Sequence, residues 1–255
     1  MAFYVLDNGE VASTEFTRGP WSKDHQHGGP PAALLGRAVE QAAPGMHVAR
    51  LTVEFLRPVP IARLRVRVEV LRPGKRVQLV GASLHAGADE VCRAIALCLR
   101  ADGVPLPEPP PPGPPPPAPD ASEPFEFTFF PWPVGYHTAV DIRRAAGTWG
   151  TGAMAAWLRM RVPLVDGEDT SPLARVVVAA DAGNGISAPL DPAQWIFINP
   201  DLTVYLHRPL VGEWVCLDGR TTPEPIGIGL AQAGLWDERG AIGRSLQSLL
   251  VTRRP

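Results

Sequence analysis

Val53-Glu54-Phe55-Leu56-Arg57-Pro58 finds an echo in Val204-Tyr205-Leu206-His207-Arg208-Pro209, 151 residues further along the chain. The same displacement pairs Leu79 with Leu230, Leu84 with Leu235, Arg93 with Arg244 and Leu99 with Leu250, without a gap. Each identity is weak alone. Their agreement on one register points to an internal duplication, and a repeat governs how every later motif is interpreted.

Each copy reads as a helix accompanied by several strands. Gly29 to Ala43 (GPPAALLGRAVEQAA) sets Ala33, Leu34, Ala38 and Ala42 near helical spacing, with its prolines suited to a first turn. Strand-like runs follow at 48–57, 61–72, 76–86 and 90–100. Arg63 to Val70 alternates cleanly with period two, so its arginines belong to a solvated sheet face. The second copy offers strands near 136–145 and 153–162, a helix near 171–182, then strands near 194–207, 213–222, 227–236 and 241–252. The simplest assembly is α+β: a long curved antiparallel sheet around one central helix, made twice. Joining the two sheets edge to edge removes two exposed edges.

A chain of 255 residues admits one large domain or two ordinary ones. Twenty-four Lys and Arg against 26 Asp and Glu leave a net charge of −2, which argues against nucleic acid or an anionic membrane as partner. No apolar run approaches the roughly 20 residues of a bilayer span. Met1 to Asp7 lacks the pattern of a signal peptide, so the expectation is a cytoplasmic protein without membrane insertion. Cys92, Cys98 and Cys216 form no metal-ligand spacing, and their odd count speaks against a disulfide framework. They read as small buried fillers.

Thirty prolines stand out, eleven of them among the 15 residues from Pro105 to Pro119. Such a run favours polyproline II at about 3.1 Å per residue, making a stiff strap of roughly 45 Å. A linker is the expectation, a ligand for a proline-reading domain the alternative. The resulting division is 1–104, a proline-rich linker at 105–124, and 125–255.

Four segments now matter together: His27-Gly28-Gly29, Val53 to Pro58, Leu206-His207-Arg208-Pro209 and Ser245-Leu246-Gln247. In order and spacing they resemble those of the type II acyl-CoA thioesterases, over nearly the whole chain outside the strap. The resemblance implies a double hotdog, two antiparallel sheets each wrapped around a central helix. It implies hydrolysis of an acyl-CoA substrate to free acid and CoA, with no cofactor and no metal. It also implies an Asp near the second-half helix, a hydroxyl residue on the next strand and a Gln on the last strand, together positioning and activating a water. Asp181 and Gln247 match the first and last. Asn199 stands where the hydroxyl is expected, and Thr203, of the same strand parity, is a fallback hydroxyl.

The repeat bears on these positions independently. Asn199 corresponds to Val48 and Gln247 to Ala96, so the second copy carries amides where the first is apolar. Around Gln247, the first-copy counterparts Cys92, Ala94 and Cys98 are small, as for a face pressed against a helix. A Gln there costs about 1–3 kcal/mol unless partnered. The competing readings are a structural amide bonded to backbone, and for Asp181 a helix-terminal residue before Gly183-Asn184-Gly185. His27-Gly28-Gly29 fits a helix N-terminus, whose free N–H groups and dipole favour an oxyanion, or else a mere turn. Pro30 and Pro31 lack N–H, so the donors are Gly28, Gly29 or Ala32.

Other constellations fail. No Gly-x-Ser-x-Gly marks a nucleophile elbow, and His25-Gln26-His27 has no further ligand set for a metal. Phe125 to Pro133 (FEFTFFPWP) either anchors the linker or walls an acyl tunnel, with Trp132 a candidate for its rim. Two other functions stay open: a non-catalytic acyl-CoA-binding protein, and an enoyl-CoA hydratase, for which no Asp–His motif speaks. One duplicated chain equals a hotdog dimer, and its remaining edges and faces leave room for a homo-oligomer.

Overall fold

Asn8-Gly9 is the dipeptide best suited to a tight hairpin, and it makes one. Both residues take positive φ, 50° and 81°, as a type I′ turn requires. They join β1 (Tyr4–Asp7) to β2 (Glu10–Ser13). The computed structural model describes residues 1–107 and 113–254, so the part of the proline strap at 108–112 lies outside the described residues. The sequence reading has no strand before the first helix. These two are only four residues long, too short for alternation to register, although the Asn-Gly signal is present.

After the hairpin come α1 (Gly29–Ala42), β3 (Met46–Phe55), β4 (Arg63–Arg72), β5 (Val77–Ala86) and β6 (Asp89–Arg100). Beyond the strap lie β7 (Glu123–Pro124), α2 (Tyr136–Ala139), β8 (Val140–Thr148) and β9 (Ala153–Met160). Then follow α3 (Pro172–Ala180), α4 (Gly183–Ile186), β10 (Trp195–Ile198), β11 (Asp201–Leu206), β12 (Val215–Pro223), β13 (Ile228–Asp237) and β14 (Gly240–Arg253). The strands form one antiparallel path, β1-β2-β4-β5-β6-β3-β11-β14-β13-β12-β9-β8-β7, with β10 pairing β14.

That order is nearly a palindrome about the β3–β11 seam. The register there is self-complementary: Thr52 faces Thr203, Glu54 faces Asp201, and Arg50 faces Tyr205. Thr52 and Thr203 are 151 residues apart, so the displacement read from sequence is the relation that carries one side of the seam onto the other. The helices depart from it. Alpha3 starts 143 residues after α1, which leaves eight extra residues in the second copy between the start of the helix and the seam strand. The two helices pack on each other within a core shared by both copies, closely enough that a Cβ on Gly36 would lie 3.3 Å from Leu173 Cδ2.

Two expected strands are interrupted. Residues 136–139 make the helical turn α2, held by Tyr136 N–H donating to Arg18 O (2.9 Å) and by Gly135 N–H donating to Thr138 Oγ1 (3.2 Å). The run 194–207 breaks at Asn199-Pro200, because Pro200 has no N–H to continue a ladder. At the break, Ser248 N–H donates instead to the Asp201 carboxylate (2.7 Å). The helix expected near 171–182 ends at Ala180, leaving Asp181 as its C-terminal cap.

The described end of the strap is tied down. Trp157 Nε1 donates to Pro117 O (2.7 Å) and an Arg143 nitrogen to Pro119 O (2.9 Å). The three cysteines are free and buried. Among the described residues no helix is long and apolar enough to cross a membrane.

Candidate active site

Alpha1 begins where α3 ends, and two glycines permit the contact. A Cβ on Gly28 would lie 2.8 Å from Asp181 Oδ2 and 2.6 Å from Phe55 Cζ; one on Gly29 would lie 2.6 Å from Val178 O. Any side chain at either position drives the helix tip away from the carboxylate. Asp181 itself is 3% exposed.

Three side chains converge on it. Asn199 Nδ2 donates to Asp181 Oδ1 (2.8 Å) and to Asp201 O (3.1 Å). The strand break at Pro200 is what turns this amide out of the ladder. Gln247 Nε2 donates to Asp181 O (3.1 Å) and lies 3.5 Å from Oδ1, while Gln247 Oε1 accepts from Asn184 N–H (3.1 Å). Gln247 thus clamps the turn between α3 and α4 and spends its amide chiefly on backbone. His27 Nδ1 lies 3.0 Å from Asp181 Oδ2. Its ring stacks flat on Tyr136, with centroids 3.8 Å apart, and Tyr136 Oη donates to Val178 O (2.8 Å). Burial, with Asp181 adding to it, raises the Tyr136 phenol well above its ordinary range, so that proton stays in place.

His27 Nδ1 has a second neighbour, Gly29 N–H, at 3.2 Å. One ring nitrogen cannot offer a lone pair to Gly29 and a proton to an ionised carboxylate at once. The proton's position between ring and carboxyl therefore decides whether Gly29 N–H is engaged or free. Of the three backbone donors expected at this helix tip, Ala32 N–H is consumed by Gly28 O (3.1 Å). Gly28 N–H has no acceptor among the described residues.

Thr203 is not brought to this place. Its hydroxyl lies 3.3 Å from that of Thr52, on the β3–β11 seam. Strand parity from Asn199 fails as a guide because the chain kinks between them.

Asp181, Asn199, His27 and Gly28 line a cleft of about 440 Å³, and Gln247 stands behind it. The lining includes a cluster of the buried Phe127 and the half-buried Phe129 and Phe130, whose ring centroids are 5.1–5.9 Å apart. Trp149 backs that cluster, stacked on Phe129 and donating to Gly185 O (2.9 Å). The exposed Trp21, Leu56 and Arg57 also belong to the lining. The phenylalanines of the aromatic segment line the cleft, while Trp132 Nε1 donates to Gly19 O (3.0 Å) and Trp132 is not among the lining residues described. Sequence reasoning missed Tyr136, hidden in a stretch taken for strand. It also took Asn184 only as part of a glycine turn, where its place between two glycines is the available signal.

Residues 17–99 match the family model described as the acyl-CoA thioesterase N-terminal domain, and residues 107–251 match that of the acyl-CoA thioesterase C-terminal domain. A provisionally assigned thioesterase II of Thermobifida fusca superposes with a TM-score of 0.78 at 18% identity, covering 98% of this chain and 95% of its own. A provisionally assigned thioesterase of Novosphingobium aromaticivorans gives 0.76 at 20%, covering 98% of each chain. A hot dog fold protein of unknown function from Alicyclobacillus acidocaldarius gives 0.72 at 17%, covering 99% and 96%. These likenesses show a hot dog fold. No curated relative matches the chain.

Proposed function

The chain belongs to the acyl-CoA thioesterase family, and from that premise we propose that it hydrolyses an acyl-CoA thioester to the free acid and CoA at the Asp181 cleft. The observation that carries this reading is a carboxylate 3% exposed, held by an amide at 2.8 Å and touched by the glycine tip of a second helix, at the floor of an apolar cleft. We read the fold as a double hotdog, 1–104 and 125–255, joined by the strap at 105–124.

In the proposed reaction Asp181 takes a proton from a water as that oxygen attacks the thioester carbonyl carbon. The new C–O bond pushes the carbonyl electrons onto oxygen, which Gly28 N–H, with Gly29 N–H when His27 releases it, stabilises at the tip of α1. Collapse reforms the carbonyl and breaks the C–S bond. The thiolate leaves and takes up the proton. Asn199 orients the carboxylate and the water, and Gln247 fixes the turn that presents Asp181. The acyl group lies against Phe127, Phe129 and Phe130, with the CoA arm at the exposed part of the lining.

The test is release of free thiol from acyl-CoAs of graded chain length, followed with a thiol dye. Thermal stabilisation by acyl-CoA with no thiol released would leave only binding. Loss of enoyl absorbance with the thioester intact would make the protein a hydratase.

A further inference from the structure

The Arg-Pro pair occurs once in each copy of the repeat, and its two arginines have opposite surroundings. Arg208 is locked. Its guanidinium grips Asp237 through two contacts of 2.5 and 2.6 Å and also donates to Gly240 O (3.0 Å) and Ala241 O (3.1 Å). The Asp237 side chain is 0% exposed. Because β5 and β13 correspond residue for residue, the place of Asp237 is taken in the first copy by Ala86, and that of Gly240 by Asp89. Arg57 has therefore lost the buried carboxylate that immobilises its counterpart. Its ionic neighbour is Asp89 at 3.6 Å, and both side chains are more than 60% exposed, 63% and 64%. An ion pair so exposed holds weakly.

The freed arginine is an exposed part of the cleft lining. It is the one Lys or Arg among the cleft-lining residues described, and it is exposed, whereas Phe127 of the same lining is buried and Phe129 and Phe130 half-buried. Asp181 belongs to the same lining and is 3% exposed. A thioester whose carbonyl reaches Asp181 with its acyl group against the phenylalanines leaves its charged, water-seeking arm for the exposed part of the lining, where Arg57 is the one cation described. A guanidinium offers phosphate a planar, two-pronged donor set.

We propose that Arg57 binds a phosphate of the carrier arm to which the acyl group is esterified, and so selects phosphorylated thioesters over bare ones. This rests on the thioester-hydrolase reading. Coenzyme A and the phosphopantetheine arm of a carrier protein share that chemistry, so the substrates in the test are chosen to separate them.

One acyl group is presented as its CoA, 4′-phosphopantetheine and N-acetylcysteamine thioesters to the wild type, Arg57→Ala and Asp89→Asn. Arg57→Ala is expected to lower the ratio of kcat/KM for the CoA ester to that for the unphosphorylated ester by about tenfold or more. Asp89→Asn, which removes the competitor, is expected to raise it, and added salt to reduce it. The same loss with the phosphopantetheine ester supports a contact to the phosphate common to both carriers; a loss confined to CoA supports a contact to its distal phosphates. An unchanged ratio in Arg57→Ala overturns the proposal. If the wild type cleaves no ester at all, the hydrolase reading fails separately, and calorimetric titration with CoA then judges Arg57: weaker binding by Arg57→Ala sustains it, equal binding overturns it.

Discussion

By the displacement of 151, Val48 and Ala96 in the first copy correspond to Asn199 and Gln247 in the second; Ala96 and Gln247 lie on the matching strands β6 and β14, while Val48 is on β3 and Asn199 in the break before β11. In the first copy α1 runs for 14 residues over that ground, and apolar side chains meet its buried face. In the second, α3 stops after nine, and the space that further helical turns would fill is occupied by the Asp181–Asn184 turn and the two amides that bind it. A buried polar group persists only where every partner is supplied. The comparison teaches that shortening one helix of a symmetric pair is enough to exchange a patch of core for a cluster of hydrogen-bonding groups at a cleft. At the Arg-Pro corner the exchange runs the other way: the second copy keeps a buried ion pair, and the first has released its arginine.

Variants can break or sharpen this contrast. The largest effect is expected for Asp181→Ala, a fall in thiol release of about 10²–10⁴-fold with the fold retained, since in the proposed reaction the side chain is the general base. Next is Asp237→Ala. It leaves the Arg208 guanidinium and the N–H groups of Val211 and Arg239 without their carboxylate and should cost about 3–5 kcal/mol in chemical denaturation. Burial pushes the Asp237 carboxyl up, but Arg208 and the N–H groups of Val211 and Arg239 outweigh it and hold its pKa below the usual 3.8. The stability from this pair is therefore complete above the ordinary carboxyl value and drains away as pH falls through the lowered one. The wild type should lose stability steeply below about pH 4, and Asp237→Asn should show a shallower decline over that window.

Gln247→Ala should cost about 1–3 kcal/mol, because Asn184 N–H and Asp181 O are left unpaired in a buried place. Ala96→Gln, its mirror in the first copy, finds no such turn to bind and should destabilise without any gain in activity. The smallest effect is expected from Ala86→Asp, which rebuilds the carboxylate that Arg57 has lost. Recapture of the guanidinium should raise KM for acyl-CoA a few-fold, about 1 kcal/mol, and leave kcat close to its starting value.

Much of the architecture was legible because duplication writes it twice. The displacement of 151 emerges as the register of the central seam, and the period-two runs of β4, β5 and β6 lie within a few residues of their expected limits. Asp181, Asn199 and Gln247 come together because polar residues in an otherwise apolar repeat are costly unless they meet. What escaped reading was local. The break at Pro200 redirects Asn199 and removes Thr203 from the site, a consequence of one missing donor that parity counting cannot register. Tyr136 supports His27 from a helical turn that looked like strand. The division of Gln247 between backbone and carboxylate depends on the path of a turn, which composition does not encode.

The seam between β3 and β11 has one more implication. Because Thr52 faces its own repeat partner there, the edge of either half is a template for itself. An excised first half would carry an unpaired β3 able to dock on a second β3 in the identical alignment. Such a homodimer would reproduce the outline of the parent with two Val48–Ala96 patches and no acidic turn, a shell of the right shape with nothing inside to cut a thioester.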